Sequence, residues 1–583
     1  QNNMADASKS SPDLEFLRRF ARDQLVNILE TNAQKQDMVI DQSLMKPLDR
    51  IAGATFLKEH GVDKIFKLER AKPAISCDSQ IYLVRPSMTQ AKFIADHINA
   101  DKNSGIKRKY KVIFVPKKFY VCEMILEQEG VYGDVIMEEL TVDFIPMDSD
   151  VLSMEIPDFF RDYFLEGDQT WLGTISHALM TLQTIFGTIP NIYGIGNFAK
   201  LVNNMLDVMG KDKSQFTPPG GPEIDTLFLI DRDVDYVTPL CSQVTYEGLV
   251  DDIFEIKSGM VVFDQSVTKT DKPMTMLLNS NDVIYKEIRD RHFTNVSGFL
   301  SLKARELQDG YDKRKELLSV AEMKQFVSKD LRNLQQQHKS LQTHIGACES
   351  ILNLKKQEQF ENQLRTERDI LEGVDEKDTV AFIEELILKQ FPLYRSLQLM
   401  CLLSVTRSGL DSKVYKSLRQ QLLQTYGHKH LVNLFNLKKL GVFTEYDKRN
   451  SFRTLNKRLN LVPKSGEAID LNLPTEMAYV FGGSYAPLSC KLVEQVCTRG
   501  GFLGLEEVTK FLGETFHSKR GTSNRKSAEE KMKVIFVLFL GGCTYSEVTS
   551  LRFLAEQKGW KIIIATTSFT NSKRLLESVQ DVR

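Results

Sequence analysis

Two glycine-rich segments of this chain could support chemistry, because a glycine-rich turn ahead of a helix can bind a phosphate group. In the segment YGIGNFAK (193–200), Ala199 stands where a dinucleotide-binding turn needs its third glycine. No strand is predicted directly before this segment. The segment LGGC (540–543) follows a predicted strand and precedes a helix that starts near Ser546. A tight turn needs the same glycines for steric reasons, so nucleotide binding is the least favoured hypothesis for both segments.

Acidic residues and histidines are the second candidates. Asp231, Asp233 and Asp235 follow a predicted strand at alternating positions, which on an extended chain puts their carboxylates on one side. Arg232 lies among them and the pattern of a calcium-binding loop is absent from the sequence around them, so we favour hydrogen bonding and ion pairing over metal binding. For the segment HKH (428–430), exposed histidines on a helix are the preferred interpretation over a metal pair. The sequence predicts no catalytic, metal or cofactor site and no enzyme activity.

Eight cysteines are scattered along the chain, at positions 77, 122, 241, 348, 401, 490, 497 and 543. None forms a Cys-x-x-Cys pair, and no cysteine–histidine cluster has the spacing of a zinc site. Most of them lie inside apolar segments, where a small buried thiol is the expected role. We therefore expect a reducing compartment.

Composition bounds the class of protein. The 583 residues predict roughly three to five domains at about 100–200 residues each. The net charge of −1 gives no bulk electrostatic reason to expect nucleic acid or an anionic membrane as the main partner. The longest apolar runs, such as residues 534–540, are strand-sized and far below the ~20 residues that a bilayer requires. The first ten residues lack the apolar region of a signal peptide, so we expect a soluble, cytosolic protein.

Strand and helix signals alternate over the first 150 residues or so. A helical apolar spacing covers 15–29, and the segments 80–86 and 110–116 are apolar at consecutive positions and end at proline. Consecutive apolar positions are typical of parallel strands that are covered on both faces. The pattern predicts an α/β domain.

A second α/β domain is interrupted by a long insertion. Its first part runs from about 151 to 249 and contains a strand at 226–231. About 280 residues that we predict to be almost wholly helical come next, and strands return only at 534–540 and 561–567. Two strands alone can hardly bury their own faces. The C-terminal strands are therefore predicted to complete the sheet of the second domain.

One part of this insertion, residues 299–356, predicts a long helical hairpin. Its apolar or semi-apolar positions recur in steps of four and three, the 3.5-residue period of paired helices. They are Val327, Leu331, Leu334, His338, Leu341, Ile345, Cys348 and Leu352. Similar spacing in 300–318 predicts a first helix, joined to the second near 318–323. The hairpin is either an internal arm with a solvated face or a groove for a partner helix, and the period alone does not decide between them.

Five segments carry a family resemblance: LIDRDVDYVTPL (229–240), TYEGLVDDIF (245–254), NDVIYKEIRDRHF (281–293), YAPLS (485–489) and VLFLGGCTYSEVTSLRFL (537–554). In this order and spacing they resemble the signature of the Sec/Munc (SM) family, the cytosolic chaperones of SNARE-driven membrane fusion, and the resemblance covers nearly the whole chain. The segments DYFLEGDQTW (162–171) and LLQTYGHKHLVNLFNLKKLG (422–441) are similar to the vacuolar protein sorting 33 branch, and HIGACESI (344–351) to its B-type pattern.

The resemblance implies an α/β fold built as a Sec/Munc-type three-domain arch. Two parallel-sheet α/β domains would be joined by a large, mainly helical insertion that carries the hairpin. The implied boundaries are 1–148 for domain 1, 149–250 and 501–583 for the two parts of domain 2, 251–360 for domain 3a and 361–500 for domain 3b. One segment departs from the B-type pattern, because 441–460 is shorter here and lacks a long polar loop.

The resemblance also implies three sets of site residues. The SNARE-binding residues of the hairpin would be Lys324, Phe326, Val327, Asp330 and Leu331. The residues of domain 3b that bind a vacuolar protein sorting 16-type subunit would be His428, Leu431, Val432 and Leu434. The residues of the family's structural motif are Asp231, Arg232, Asp235, Pro239, Glu247, Gly541 and Gly542.

The function implied is that of a regulator of SNARE-mediated vesicle fusion in endosomal and lysosomal trafficking. The expected partners are SNARE proteins, the B-type 16-like subunit (VIPAR) and, through that complex, Rab GTPases, with no nucleic acid. Membrane association would be indirect, on late endosomes, lysosomes or recycling endosomes. The alternative is a cargo-trafficking adaptor with weak or no SNARE binding.

Overall fold

The computed structural model describes residues 12–31, 34–211, 222–269, 271–312, 331–357, 359–374, 376–446, 451–464, 469–520 and 532–580. Contacts divide the chain into two compact units. The first comprises residues 1–155 and 170–186, and the second comprises residues 156–169 and 187–583. The five domain segments expected from the sequence stay a prediction.

The first unit is an α/β unit around a five-stranded sheet. The strands of this sheet are β1 (Gln36–Ile40), β2 (Val62–Lys67), β3 (Ser79–Val84), β4 (Lys109–Phe114) and β5 (Val135–Glu139). Two short strands, β6 (Ile145–Pro146) and β7 (Val151–Ser153), pair with each other. The helices of this unit are α1 (Glu15–Glu30), α2 (Gln42–Ile51), α3 (Ala54–Glu59), α4 (Met88–Asn103), α5 (Tyr120–Gln128) and α6 (Trp171–Phe186). The sheet order is β2-β1-β3-β4-β5, and all of these neighbours are parallel.

The predicted strands of this unit are confirmed, and their burial explains the sequence pattern. Every residue of β3 is buried, and β4 is buried from Tyr110 onward. Helix α4 packs Ile94 and Ile98 against this sheet in one apolar core with Val112. A strand that is covered on both faces has no solvated side, so its sequence is apolar at consecutive positions instead of alternating.

The second unit contains the remaining elements. Its strands are β8 (Asn191–Ile195), β9 (Thr226–Asp231), β10 (Met260–Phe263), β11 (Met274–Leu277), β12 (Thr515–Lys519), β13 (Val534–Leu540) and β14 (Lys561–Thr566). Its helices are α7 (Asn197–Lys211), α8 (Val237–Leu240), α9 (Tyr246–Phe254), α10 (Gln265–Thr268), α11 (Val283–Ile288), α12 (Val296–Asp312), α13 (Leu331–Gln357), α14 (Phe360–Glu372), α15 (Glu376–Leu388), α16 (Leu393–Arg407), α17 (Ser412–Tyr426), α18 (Leu431–Lys439), α19 (Ser451–Leu459), α20 (Leu488–Arg499), α21 (Glu506–Thr509), α22 (Tyr545–Lys558) and α23 (Ser572–Ser578).

The central sheet of the second unit is assembled from both ends of its sequence. The strands that this unit contributes run in the order β12-β8-β9-β13-β14. Strand β13 pairs in parallel with β9 on one side and with β14 on the other. The prediction that the C-terminal strands complete the second sheet is confirmed, and the insertion therefore leaves and re-enters one shared core.

The prediction that the insertion is almost wholly helical is wrong in two places. Strands β10 and β11 form an antiparallel hairpin. Strand β12 pairs antiparallel with β8 at the edge of the sheet. Both β11 and β12 have a partly solvated face, so their sequences lack the continuous apolar run that identified the central strands. Among the helices of the described ranges, none has the length and apolar character needed to cross a bilayer.

Candidate functional site: a buried junction and two protein-binding surfaces

Arg232 forms a buried ionic junction at the carboxyl end of β9. Its side chain is only 1% exposed, and its Nη1 lies 2.8 Å from Oε2 of Glu547 on α22. Its two terminal nitrogens also donate to the main-chain oxygens of Gly542 and Asp235. Burial alone would lower the pKa of Arg232, but the carboxylates of Glu547 and Asp235 outweigh it and raise that pKa. Arg232 is therefore held in its charged form and paired within the junction.

The junction ties three distant parts of the chain together. The carboxylate of Asp235 accepts hydrogen bonds from the main chain of Thr238 at 3.0 Å and of Ser489 at 3.1 Å. The hydroxyl of Ser489 donates to Oε1 of Glu547, and Glu547 also completes a capping box with Thr544 at the start of α22. Segments after β9, after β13 and at the start of α20 thus meet at one set of charges.

The Asp231 carboxylate occupies the helix N-terminus that follows YGIG. Its two oxygens accept the main-chain N–H groups of Phe198 and Ala199 at 2.7 and 2.9 Å. Burial raises the pKa of Asp231, and these two hydrogen bonds oppose that rise. The donors that would bind a phosphate are therefore already paired with a carboxylate, which gives no support to nucleotide binding here.

Glycine is required at the turn for steric reasons. Gly196 has a φ of +115°, and a Cβ added there would lie 2.2 Å from the Asp231 carboxylate. The expectation that YGIG does not follow a strand is wrong, because Asn191–Ile195 is itself strand β8. In the LGGC turn, a Cβ on Gly541 would lie 2.5 Å from the ring of Phe164, and one on Gly542 would lie 2.9 Å from Thr570. These contacts support the steric interpretation of both glycine turns.

The aspartates after β9 do not follow the extended pattern considered from the sequence. Arg232–Val234 form a single 3-10 turn, so the alternation of an extended chain is lost. Asp231 and Asp235 instead accept main-chain hydrogen bonds from different elements. Pro239 is buried in the one-turn helix α8. At the HKH segment, Nδ1 of His430 pairs with the Asn433 amide at 3.0 Å.

Glu247 on α9 is the centre of a second buried charge cluster. It is 6% exposed, its Oε2 lies 3.2 Å from Nη1 of Arg552, and its other oxygen accepts the hydroxyl of Tyr285. The same Arg552 nitrogen lies 3.2 Å from Asp290. Burial raises the pKa of Glu247 to about 7, against the opposing effect of Arg552. Glu247 and Arg552 come from segments about 300 positions apart. Tyr285 and Asp290 lie in the insertion between those segments, so this cluster also joins the insertion to the α/β core.

Helices α12 and α13 pack together as the predicted helical hairpin. Leu300, Leu307 and Leu341 are buried in one apolar cluster with Cys348. Higher on the hairpin, the ring of His338 meets that of Tyr311 edge-on, with centroids 6.2 Å apart. The predicted seam is buried only in part. Leu331, Leu334 and Ile345 are half-buried, and His338 and Leu352 are exposed.

The base of the hairpin is fixed by polar contacts and one close approach. Nδ1 of buried His344 pairs with the hydroxyl of Tyr246 at 2.7 Å, and Ser340 donates to Asp282 at 2.6 Å. A Cβ on Gly346 would lie 2.2 Å from the carbonyl oxygen of Val267, so α13 approaches α10 at a distance that only glycine permits. The base of the hairpin is therefore fixed by contacts with Tyr246, Asp282 and Val267.

Most of the SNARE-binding residues expected on the hairpin lie outside the described residues. Lys324, Phe326, Val327 and Asp330 belong to this group, as does the expected turn at 318–323. Leu331 is the first residue of α13 and is half-buried. This set of contacts stays a prediction.

Helix α18 presents a small apolar surface, which we name the α18 surface: Leu431, Val432 and Phe435. Their side chains are 45%, 44% and 65% exposed. Leu434, one of the four residues expected to bind a partner, is only 2% exposed and lies in the core, beneath the exposed side chains. Partner binding by these residues stays a prediction. Phe435, which is four residues after Leu431 and shares its helix face, was missed; the helical period was the signal for it.

Basic residues flank the α18 surface along the chain. His428 and Lys429 lie just before the helix, and Lys438 and Lys439 lie at its C-terminal end. Exposed apolar side chains flanked by basic residues are typical of a protein-binding site whose partner combines apolar and acidic groups.

The comparisons with known proteins identify the class. The model of the Sec1 family matches residues 36–578, and the chain belongs to this family. It is 46% identical to vacuolar protein sorting-associated protein 33B of Homo sapiens, over 98% of each chain. It is 36% identical to vacuolar protein sorting-associated protein 33A of Rattus norvegicus, over 99% of each chain. The resemblance to the B-type member that we inferred from the sequence is confirmed, because the identity to the 33B protein is higher than the identity to the 33A protein.

The fold is also that of solved SM proteins. The structure of the Unc18–syntaxin 1 complex from Monosiga brevicollis superposes with a TM-score of 0.62 at 16% identity, covering 97% of this chain and 99% of that one. The SM protein Vps45 in complex with the Qa SNARE Tlg2 gives a TM-score of 0.62 at 15% identity, covering 98% of both chains. The predicted fold class is confirmed.

Proposed function

We propose that this protein is an SM-type regulator of SNARE-mediated vesicle fusion in endosomal and lysosomal trafficking. It acts without breaking a bond: it binds SNARE helices along the α12–α13 hairpin and favours their correct pairing. The observation that carries the proposal is the hairpin itself, two packed helices fixed at their base by His344 and Gly346 in a chain of the Sec1 family. The solved relative Vps45 is in complex with the Qa SNARE Tlg2, which supports the same kind of partner here.

We further propose that the α18 surface binds a vacuolar protein sorting 16-type subunit, of the B-type (VIPAR). Through this subunit the protein would reach Rab GTPases and the membranes of late endosomes, lysosomes or recycling endosomes. The support is the exposure of Leu431, Val432 and Phe435 on one helix face. A patch of this kind is centred on an aromatic anchor, as binding hot spots commonly are.

Two charge-introducing variants separate these proposals. Leu431→Lys places a charge where a partner would have to bury it, so it should abolish co-purification of the 16-type subunit. Phe326→Asp should reduce capture of a SNARE helical bundle. Each variant should leave the other interaction unchanged, and Leu503→Lys, a change at another exposed leucine (83% exposed), should alter neither.

The outcomes assign the function. If Leu431→Lys co-purifies with the subunit normally, the α18 surface is not the docking site. If neither the wild-type chain nor Phe326→Asp captures endosomal SNARE helices, the result favours the alternative function, a cargo-trafficking adaptor. That function requires only the α18 surface.

A further inference from the structure

Three potential metal ligands converge at one end of the sheet in the first unit. They are Asp37 on β1, Asp63 on β2 and Cys77 in the loop before β3. One ligand atom from each residue lies within 4.8 Å of the other two. Around a tetrahedral zinc ion with bonds of about 2.0–2.3 Å, ligand atoms lie roughly 3.3–3.8 Å apart. The three atoms are therefore within about an ångström of coordinating distance.

The Asp37 carboxylate is held so that one of its oxygens stays without a partner. Asp37 is 0% exposed. Its Oδ2 accepts the main-chain N–H groups of Ser76 at 2.8 Å and Cys77 at 3.0 Å, and the Ser76 hydroxyl at 3.2 Å. Its Oδ1 is buried and has no hydrogen-bond partner among the described residues. Hydrogen bonds to one oxygen that orient the other are what outer-shell groups provide in metal sites.

An irregularity in the sheet places the second carboxylate beside the first. Strand β1 pairs with β2 through Gln36 and Val62, and then through Met38 and Ile65. Two residues of β2, Asp63 and Lys64, therefore lie opposite the single residue Asp37. A bulge of this kind redirects side chains and is frequent next to functional sites.

We propose that Asp37, Asp63 and Cys77 form a zinc-binding site with an open fourth position. The thiol selects zinc over calcium and magnesium, which require a larger set of oxygen ligands. The Nζ of Lys35 lies 3.7 Å from Asp63, but the Lys35 side chain is 80% exposed and is free to move when a cation binds. A bound ion would connect β1, β2 and the loop before β3, three segments at one end of the sheet.

Accessibility of the thiols gives a direct assay. All eight cysteines lie in the described residues, and Cys77 is the one that is not buried. Burial and the neighbouring Asp37 carboxylate raise the pKa of the Cys77 thiol, so labelling should be carried out at a mildly alkaline pH. After treatment of the full chain with a chelator, a maleimide should then label Cys77 faster than the seven buried cysteines. A small excess of Zn²⁺ should slow that labelling at least tenfold, and Co²⁺ should produce a thiolate charge-transfer band at one equivalent per chain.

Variants at the ligands separate a built site from an adventitious ion. Asp63→Asn, at a side chain that is 36% exposed and tolerant of substitution, should weaken Zn²⁺ protection at least tenfold. Asp37→Asn should do the same, with thermal unfolding recorded to confirm folding. The control Asp78→Asn, at the exposed neighbour of Cys77, should retain protection. Unchanged labelling in the presence of Zn²⁺, or equal protection in Asp63→Asn and wild type, would overturn the proposal and leave an adventitious ion only.

Discussion

The buried junction and the α18 surface reverse the usual relation between polarity and burial. At the junction, a guanidinium and two carboxylates are enclosed, and Arg232 is 1% exposed. On α18, by contrast, Phe435 is 65% exposed. Isolated charges inside a protein are costly unless paired, and apolar side chains outside need no compensation in the monomer. The junction therefore serves the fold of this chain, whereas the α18 surface contributes little to the fold and is where we propose that a partner binds.

The largest effect is expected from Arg232→Met. It would leave Glu547 and Asp235 enclosed without their cation, so the free energy of unfolding should fall by about 3–5 kcal/mol. Urea denaturation followed by circular dichroism measures this. The control, Lys389→Met, removes an exposed pair with Glu385 and should cost less than about 0.5 kcal/mol. Equal losses in the two variants would show that the junction does not stabilise the fold.

The next effect is expected from Gly196→Ala. The added Cβ would meet the Asp231 carboxylate at 2.2 Å in a backbone conformation with φ of +115°, so stability should fall by at least about 2 kcal/mol. Gly210, inside the neighbouring helix α7, has open space around its Cβ position. Gly210→Ala should instead raise stability by roughly 0.5–1 kcal/mol. If Gly196→Ala raised the free energy of unfolding, the steric explanation for glycine at this turn would be wrong.

Glu247 makes the buried charges sensitive to pH. Its pKa is raised to about 7 by burial, so the folded state favours the protonated form. The stabilisation from this group is fully present below its unfolded pKa, near 4.5, and is lost as the pH rises through about 7. Between pH 5 and pH 8, the unfolding free energy of the wild type should fall relative to that of Glu247→Gln by on the order of 2 kcal/mol. Parallel pH profiles for the two proteins would contradict this.

The smallest effect on stability is expected from Phe435→Ala. The side chain is mostly solvated, so the unfolding free energy should change by less than about 0.5 kcal/mol. Affinity for the 16-type subunit should nevertheless fall about 30-fold or more, as for an aromatic anchor worth about 2 kcal/mol. Isothermal titration and thermal unfolding of the same preparation measure both. A large loss of stability would mean that α18 belongs to the core.

Local pattern was enough to predict the central strands and the hairpin. Leu229 and Leu538 lie in apolar runs that only a doubly covered strand explains, and these two residues pair in the sheet. Local pattern could not predict the ion pairs of the junction. Arg232 and Glu547 are 315 positions apart, and neither a helical nor a strand period relates positions so distant. Asp37, Asp63 and Cys77 likewise come together through a strand bulge and a loop, and neither feature produces a recognisable residue spacing in the sequence.

The sequence also could not predict which residues of helix α18 face the core. Leu431 and Leu434 are the same residue type three positions apart, yet one is exposed and the other is enclosed. The helical period predicts that two such residues lie close together on the helix, but the direction of the core comes from the neighbouring helices. For the same reason Phe435 joins the surface and Leu437 does not.

The pairing of β9 with β13 has a consequence during synthesis on the ribosome. Asp231 ends β9 and Val534 begins β13, so about 300 residues are translated between them. At about 5–20 residues per second this takes roughly 15–60 s. Throughout that interval the edge of β9 that will receive β13 has no strand to pair with, and an unpaired strand edge is prone to aggregation. A chain that stops translation before residue 534 would keep that edge open permanently, and chaperones would have to hold it.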